Sequence, residues 1–254
     1  MSNTATVLAF DFGASSGRAI RAVYDGQNLT YEEIHRFENV PIEKDGHLCW
    51  DVETLLKEIH TAIQKAGTFD SVGFDTWGVD FGLLDTDGHL LANPVHYRDA
   101  RTNGKPEQAA ARMPAEELYA HTGNQIMAIN TLFQLLALRE QDPELLQKAA
   151  QILFMPDLFA ALLGAEPVCE RSIASTSQML DLRTGQWSRE VLAAYGLNEN
   201  HFASLVASGT VTGTLTTGAK IIAVAGHDTQ CASAAMPCAE EDAEHTAFLS
   251  CGTW

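Results

Sequence analysis

Residues 6–37 spell three strands in succession, and this opening limits what the chain can become more than any other feature. Residues 6–12 form an apolar run, residues 13–17 a turn of small residues, and residues 18–24 a second run. An Asp25-Gly26 turn leads to a third run at 29–37. A meander of this kind leaves a broad sheet face that something must cover. Asp51 supplies the N-cap of a helix in which Val52, Leu55, Leu56, Ile59, Ile63 and Ala66 fall on one face, and Gly67 ends it. That helix is expected to lie on the sheet. Short buried strands are expected at 71–76 and 79–85, the second closed by the Asp85-Thr86-Asp87-Gly88 turn and resumed at 89–92.

The middle third carries helical spacing at 114–121, 130–140, 143–151 and 156–163. A Gly/Thr/Ser-rich stretch at 208–218 then leads to a strand at 220–225, a Gly226-His227-Asp228 turn and a small-residue helix at 229–236. Strands precede, alternate with and follow helices, which is an α/β pattern. The sequence contains no internal repeat or low-complexity segment.

Composition narrows the function classes. The 254 residues are 46% hydrophobic and 19% charged, enough to bury a sizeable core, which excludes a disordered, collagen-like or disulfide-stapled chain. With 16 Lys and Arg against 33 Asp and Glu the formal net charge is -17, a field that repels nucleic acid and anionic membranes. Neither is an expected partner. A small anion such as a nucleotide is different, because backbone N–H groups and Mg2+ supply positive potential locally. Cys49, Cys169, Cys231, Cys238 and Cys251 form no C-x-x-C pair or metal-spaced cluster and are read as reduced, mostly buried thiols. The N-terminus has no basic segment with a cleavage site, and the most apolar later stretch is broken by Pro156 and Asp157, so a soluble cytoplasmic protein is expected. Residues 248–254 stop as an apolar strand enters a Gly turn, which leads us to expect a piece of a longer chain.

Four segments have the residue types that chemistry needs. Asp11-Phe12-Gly13-Ala14-Ser15-Ser16-Gly17-Arg18 puts a carboxylate at a strand end before a turn of glycines and hydroxyls. Such a turn suits phosphate: Gly13 and Gly17 permit positive φ and close backbone approach, while Asp11 could hold Mg2+ through water. The plainer alternative is a hairpin turn with a solvated Asp. The turn joins strand to strand, so it is neither a Walker loop nor a dinucleotide fingerprint. Gly226-His227-Asp228-Thr229 sits where a strand meets a helix, and Asp228 there could take a proton from an attacking hydroxyl; a simple N-cap is the rival reading. In Asp75-Thr76-Trp77-Gly78-Val79-Asp80-Phe81 a sugar ring could stack on Trp77 while Asp80 accepts hydroxyl hydrogen bonds, against core packing of Trp77. Asp75 and Asp80 differ in parity along a strand and would point to opposite faces, which argues against a carboxylate pair for glycoside hydrolysis. His96-Tyr97-Arg98-Asp99-Ala100-Arg101-Thr102 is dense in hydrogen-bonding groups, or simply a solvated loop with a local ion pair.

The order of these segments, together with Trp50-Asp51, Asn130-Thr131-Leu132, Met155-Pro156-Asp157 and Gly252-Thr253-Trp254, resembles the FGGY carbohydrate kinases along essentially the whole chain. The resemblance implies an actin-like, ribonuclease H-like ATPase fold with a mixed β-sheet flanked by helices. It also implies two domains with the active site between them. Residues 1–254 would be the first domain, and the second, nucleotide-binding domain would be missing from this sequence. By the same resemblance Ala14, Ser15, Ser16, Gly17 and Arg18 contact ATP phosphates, Asp11 helps place Mg2+, and Thr253 is a further ATP contact. Gly78, His227, Asp228 and Thr229 match sugar-contacting positions, and Asp228 matches the catalytic base. Trp77, Asp80 and Arg98 are added to the sugar site from the residues themselves. Within the family the chain is similar to the branch that phosphorylates the 1-hydroxyl of L-rhamnulose. Residues 176–181 and 226–230 equally resemble the branch acting on L-fuculose, while residues 11–18 and 75–81 favour the first branch, so L-rhamnulose is the expected substrate and L-fuculose the alternative. A non-sugar ATPase of the same fold, or a domain that only senses a sugar, are the alternatives.

Overall fold

The computed structural model describes residues 4–250. Its strands begin as the meander requires: β1 (Ala5–Phe12), β2 (Ser16–Tyr24) and β3 (Leu29–Glu38), followed by a small hairpin of β4 (Ile42–Lys44) and β5 (His47–Cys49). Leu8, Phe10 and Phe12 alternate along β1 and all point into the core. Helix α1 (Val52–Ala66) starts where Asp51 accepts a hydrogen bond from the Thr54 N–H and ends at Gly67, whose φ of 68° only glycine adopts readily. Ala62 joins Val52, Leu55, Ile59 and Ala66 on its buried face, whereas Leu56 and Ile63 are only partly covered.

Strand β6 (Ser71–Thr76) returns beside β1 and parallel to it. The chain then builds β7 (Phe81–Leu84), α2 (Lys105–Ala109), α3 (Ala115–Thr122), α4 (Thr131–Gln141) and α5 (Pro143–Lys148). It continues through β8 (Gln151–Phe154), α6 (Met155–Leu162), β9 (Val168–Glu170), α7 (Arg171–Ser175) and α8 (Arg189–Tyr195). The last elements used below are β10 (Ser204–Val206), β11 (Thr210–Thr214), β12 (Lys220–Ala223) and α9 (Asp228–Ala234). Six strands form one mixed sheet in the order β11-β12-β6-β1-β2-β3. Its centre, β12-β6-β1, is parallel, and the outer pairs are antiparallel.

The buried strand expected at 79–85 is β7, and it pairs antiparallel with β8 in a separate two-stranded sheet. One expectation is corrected. The helix expected at 143–151 stops at Lys148, and Gln151–Phe154 is the strand that covers β7. Two apolar cores result. One joins the main sheet to α1 and α6, where the Phe12 and Phe159 rings stack at 4.7 Å. The other packs Leu132, Phe133 and Leu135 of α4 against Val191, Leu192 and Tyr195 of α8 and against β7 and β8.

Asp157, in the first turn of α6, is buried with the Glu170 N–H 3.3 Å from each carboxylate oxygen. Burial pushes its carboxyl up to about 8. A folded-state value above the ordinary 3.8 means the native state binds the proton more tightly than the unfolded chain. Its contribution to stability is therefore fully present below 3.8 and is lost as pH rises to about 8. Asp157→Asn keeps an acceptor for the Glu170 N–H and has nothing to ionise. Urea unfolding of the chain between these two pH values should show stability falling with pH, and falling less steeply in the variant. Parallel slopes would contradict this.

Candidate functional site

Because β12, β6 and β1 are parallel, their C-terminal ends lie side by side, the position at which open α/β sheets bind ligands. Asp11 of β1 is the register partner of Asp75 on β6, and Phe12 of Thr76. On the other side of β6, the Thr76 N–H donates to the Gly226 carbonyl at 2.9 Å, and Thr76 bridges to His227. Thus β6 joins the first and last candidate segments, which are remote in sequence. Asp75 lies between them: burial, then Asp11, then Asp228 push its carboxyl up to about 8, while Arg18 opposes them. The carboxylates of Asp11, Asp75 and Asp228 therefore act within one electrostatic neighbourhood.

The β1–β2 connection is residues 13–15; Ser16, Gly17 and Arg18 already belong to β2. The Gly13 N–H donates to the Ser16 carbonyl at 2.9 Å. Asn39, 3% exposed, holds the turn from beneath: its Nδ2 donates to the Gly13 carbonyl at 2.9 Å and its N–H to the Ser15 carbonyl at 3.0 Å. Ala14 packs on the core, while Ser15 is exposed. The expected reason for the glycines is corrected, because neither Gly13 nor Gly17 has positive φ. Gly17 is required by its cross-strand partner instead: a Cβ there would lie 2.3 Å from the Phe37 ring. Arg18 donates from Nε and Nη2 to Asp11 Oδ2 at 2.8 and 2.6 Å.

At the other end, His227 is the N-cap of α9 and Asp228 its first residue. His227 Nδ1 lies 2.8 Å from Asp228 Oδ1, which also accepts from the Thr229 N–H at 2.5 Å and the Thr229 hydroxyl at 3.1 Å. Burial acts to raise the Asp228 carboxyl, but the His227 contact and the Thr229 bonds outweigh it and hold the group below the usual value. The carboxylate is ionised at neutral pH. Gly78 faces this turn: a Cβ on it would meet the His227 ring and the Thr176 methyl, each at 3.0 Å. Val79 beside it has a φ of 67°, a strained conformation for a β-branched residue. External bonds fix it, the Val79 N–H donating to Thr176 Oγ1 at 3.0 Å and the Thr131 hydroxyl to the Val79 carbonyl at 2.6 Å.

Trp77 and Asp80 turn inward. Asp80 is 1% exposed, and its carboxylate accepts from Trp50 Nε1 (2.6 Å), Trp77 Nε1 (3.0 Å), the Tyr97 N–H (3.1 Å) and Gln134 Nε2 (2.8 Å). The Trp77 ring lies 4.0 Å from that of Trp50. Core packing describes Trp77 as it stands, and Asp80 anchors the 77–80 loop from below instead of presenting its oxygens to the cleft. Arg98 is exposed, with its guanidinium 5.4 Å from the Tyr97 ring centre. Thr253 lies outside the described residues. Asn39 and Glu170, which braces Gly226 at 3.1 Å, were not foreseen, and no local pattern marks them.

Residues 6–234 match the model of the FGGY family of carbohydrate kinases, N-terminal domain. The chain belongs to that family. The FGGY chain is 41% identical over 260 residues to the rhamnulokinase of Bacteroides thetaiotaomicron, an alignment covering 97% of this chain and 53% of that protein. It thus spans about half the length of this curated relative. The solved structure of gluconate kinase from Lactobacillus acidophilus superposes with a TM-score of 0.76 at 17% identity, covering 87% of this chain and 48% of that one. Ligand-bound xylulose kinase from the same organism gives 0.75 at 18% identity, covering 86% and 47%. At these identities the FGGY chain shares their fold, the actin-like ATPase architecture. Among the described residues no helix is long and apolar enough to cross a membrane.

Proposed function

We propose that the full-length protein carrying this chain is an ATP-dependent kinase that transfers the γ-phosphoryl group to the 1-hydroxyl of a ketose. L-Rhamnulose is the first candidate, with L-fuculose or another FGGY substrate next. The observation that carries the reading is the meeting of the 13–18 segment and Asp228 on either side of Asp75. The 41% identity to a rhamnulokinase supports the choice of sugar. In this reading residues 1–254 are the sugar- and phosphate-binding domain, and the remainder of the protein supplies the adenine site and closes the cleft.

Phosphoryl transfer asks a protein chiefly to position groups and neutralise charge. Ala14, Ser15, Ser16, Gly17 and Arg18 would face the ATP phosphates, with Thr253 as a further contact. Asp11 and Asp75, hard oxygen donors crowded at two strand ends, suit Mg2+, which binds through one or two carboxylates and its own waters. When bound, that ion would offset the negative charge of the phosphoryl group. Gly78, His227, Asp228 and Thr229 would line the sugar, above the loop that Trp77 and Asp80 anchor and near Arg98. Asp228 would orient the ketose hydroxyl and take its proton. His227 Nδ1 and both Thr229 donors contact Oδ1, which leaves Oδ2 for the substrate.

The test is ADP release by the full-length protein with ATP, Mg2+ and a panel of rhamnulose, fuculose and xylulose. Sugar-dependent turnover, fastest with rhamnulose, is expected. ADP release at the same rate without sugar would favour a shape-changing ATPase, and calorimetric sugar binding with no phosphorylation a sensor; either overturns the proposal.

A further inference from the structure

The two halves of the proposed sugar site, the 77–80 loop and the 226–229 turn, are tied to opposite ends of the same short helix. Glu170, the last residue of β9 and 2% exposed, caps α7: its Oε2 accepts from the Ser172 N–H at 2.9 Å, the Ser172 hydroxyl at 2.5 Å and the Ile173 N–H at 3.3 Å. That same oxygen accepts from the Gly226 N–H at 3.1 Å, while Oε1 accepts from the Ser208 hydroxyl at 2.7 Å. Gly226 is seated closely enough that a Cβ would lie 2.9 Å from Pro156 and 3.3 Å from Ile173. Two residues further on stands Asp228.

At the other end, Thr176 is the C-cap of α7. Its hydroxyl donates to the Ile173 carbonyl at 2.8 Å and accepts from the strained Val79 at 3.0 Å. Its methyl bounds the space at Gly78 on one side while the His227 ring bounds it on the other. A five-residue helix is about 7.5 Å long and has no joint at which to bend. His227 and Thr229 orient the Asp228 side chain, but neither is tied to Val79 by a hydrogen bond among those of the described residues.

We propose that α7 is a rigid spacer that sets the gap between Gly78 and Asp228, with Glu170 and Thr176 as its positioning residues. The proposal rests on Asp228 being the base of a sugar kinase. Neither positioning residue needs to touch substrate. Glu170→Gln replaces a carboxylate that accepts from five donors by a neutral amide with one acceptor oxygen, so the cap and Gly226 are held less firmly even when the NH2 turns to the Ser208 hydroxyl. Thr176→Val keeps the shape and removes the acceptor for Val79, whereas Thr176→Ser keeps it.

The experiment compares kcat and KM in the full-length protein for the wild type, Glu170→Gln, Thr176→Val and Thr176→Ser, and for the first variant combined with Asp228→Asn. Misplacing reacting groups by about 1 Å costs roughly 100-fold, so Glu170→Gln and Thr176→Val should lose up to that in kcat with the KM for ATP little changed. Thr176→Ser should lose less than Thr176→Val. On the Asp228→Asn background the Glu170→Gln effect should shrink to a few-fold, because no base is left to misplace. A full, multiplicative loss on that background would mark a merely structural role and overturn the spacer. So would wild-type kcat in both Glu170→Gln and Thr176→Val; should Glu170→Gln not fold, Thr176→Val and Thr176→Ser decide. A wild type that phosphorylates no ketose would instead overturn the kinase reading, and the spacer with it.

Discussion

Asp228→Asn is expected to lower kcat of the full-length protein by roughly 10²–10⁴-fold while sugar affinity hardly moves. The contacts at Asp228 explain why the two quantities separate. Asn retains an oxygen where Oδ1 meets Thr229, so the turn keeps its shape. What disappears is a carboxylate held ionised by His227 and Thr229 against the opposing effect of burial. An amide cannot take the proton of an attacking hydroxyl. Steady-state ADP release would give the rate, and calorimetry with the ketose the affinity. Turnover within a few-fold of wild type would remove Asp228 from the role of base, and a parallel collapse of sugar affinity would make it chiefly a binding residue.

The second large effect falls on stability. Asp80→Ala strands three donors, the Trp50 and Trp77 indoles and the Tyr97 N–H, at a point that is 1% exposed, and takes one acceptor from the Gln134 amide, which keeps the Ile129 carbonyl at 2.9 Å. Each buried donor left without an acceptor costs about 1–3 kcal/mol, and relaxation recovers part of that, so a total loss on the order of 4 kcal/mol is expected. Asp80 also joins elements remote in sequence, the segment before α1, the 77–80 loop, the 96–102 loop and α4, so the loss should appear as one cooperative shift of the urea midpoint. Burial pushes the Asp80 carboxyl up to about 6, against the lowering effect of its hydrogen bonds. The net rise shows that desolvation is not fully compensated. A loss under about 1 kcal/mol would mean that water enters and replaces the carboxylate.

How much of this could be read in advance depends on how local each cause is. The meander, α1 and β6 follow from hydrophobic periodicity and from caps within a few residues of each boundary, and all are found. β8 is hidden in the sequence because Gln151–Phe154 is only four residues long and adjoins helical spacing on both sides; its pairing with β7 decides it. The glycines of the first turn show a different failure. The residue type is legible there and its reason is not, since Phe37 across the ladder, and not a left-handed backbone, excludes a side chain at position 17. Asn39 reaches a carbonyl 26 positions away, and Glu170, beyond its local cap on α7, reaches Gly226 56 positions on, which no pattern within a few residues announces. Trp77 and Asp80 were singled out for their chemistry, and the structure assigns that chemistry to holding a loop.

The strand order also has a temporal meaning. β1, β2 and β3 can pair as soon as they leave the ribosome, and β6 can dock on β1 shortly afterwards, but the place beside β6 stays vacant until β12 has been made. A growing chain would therefore hold the 13–18 turn through the synthesis of about 200 further residues before Asp228 stands opposite. On the proposed reading, an unfinished polypeptide could not transfer a phosphoryl group before the 226–229 segment has been made and seated beside β6.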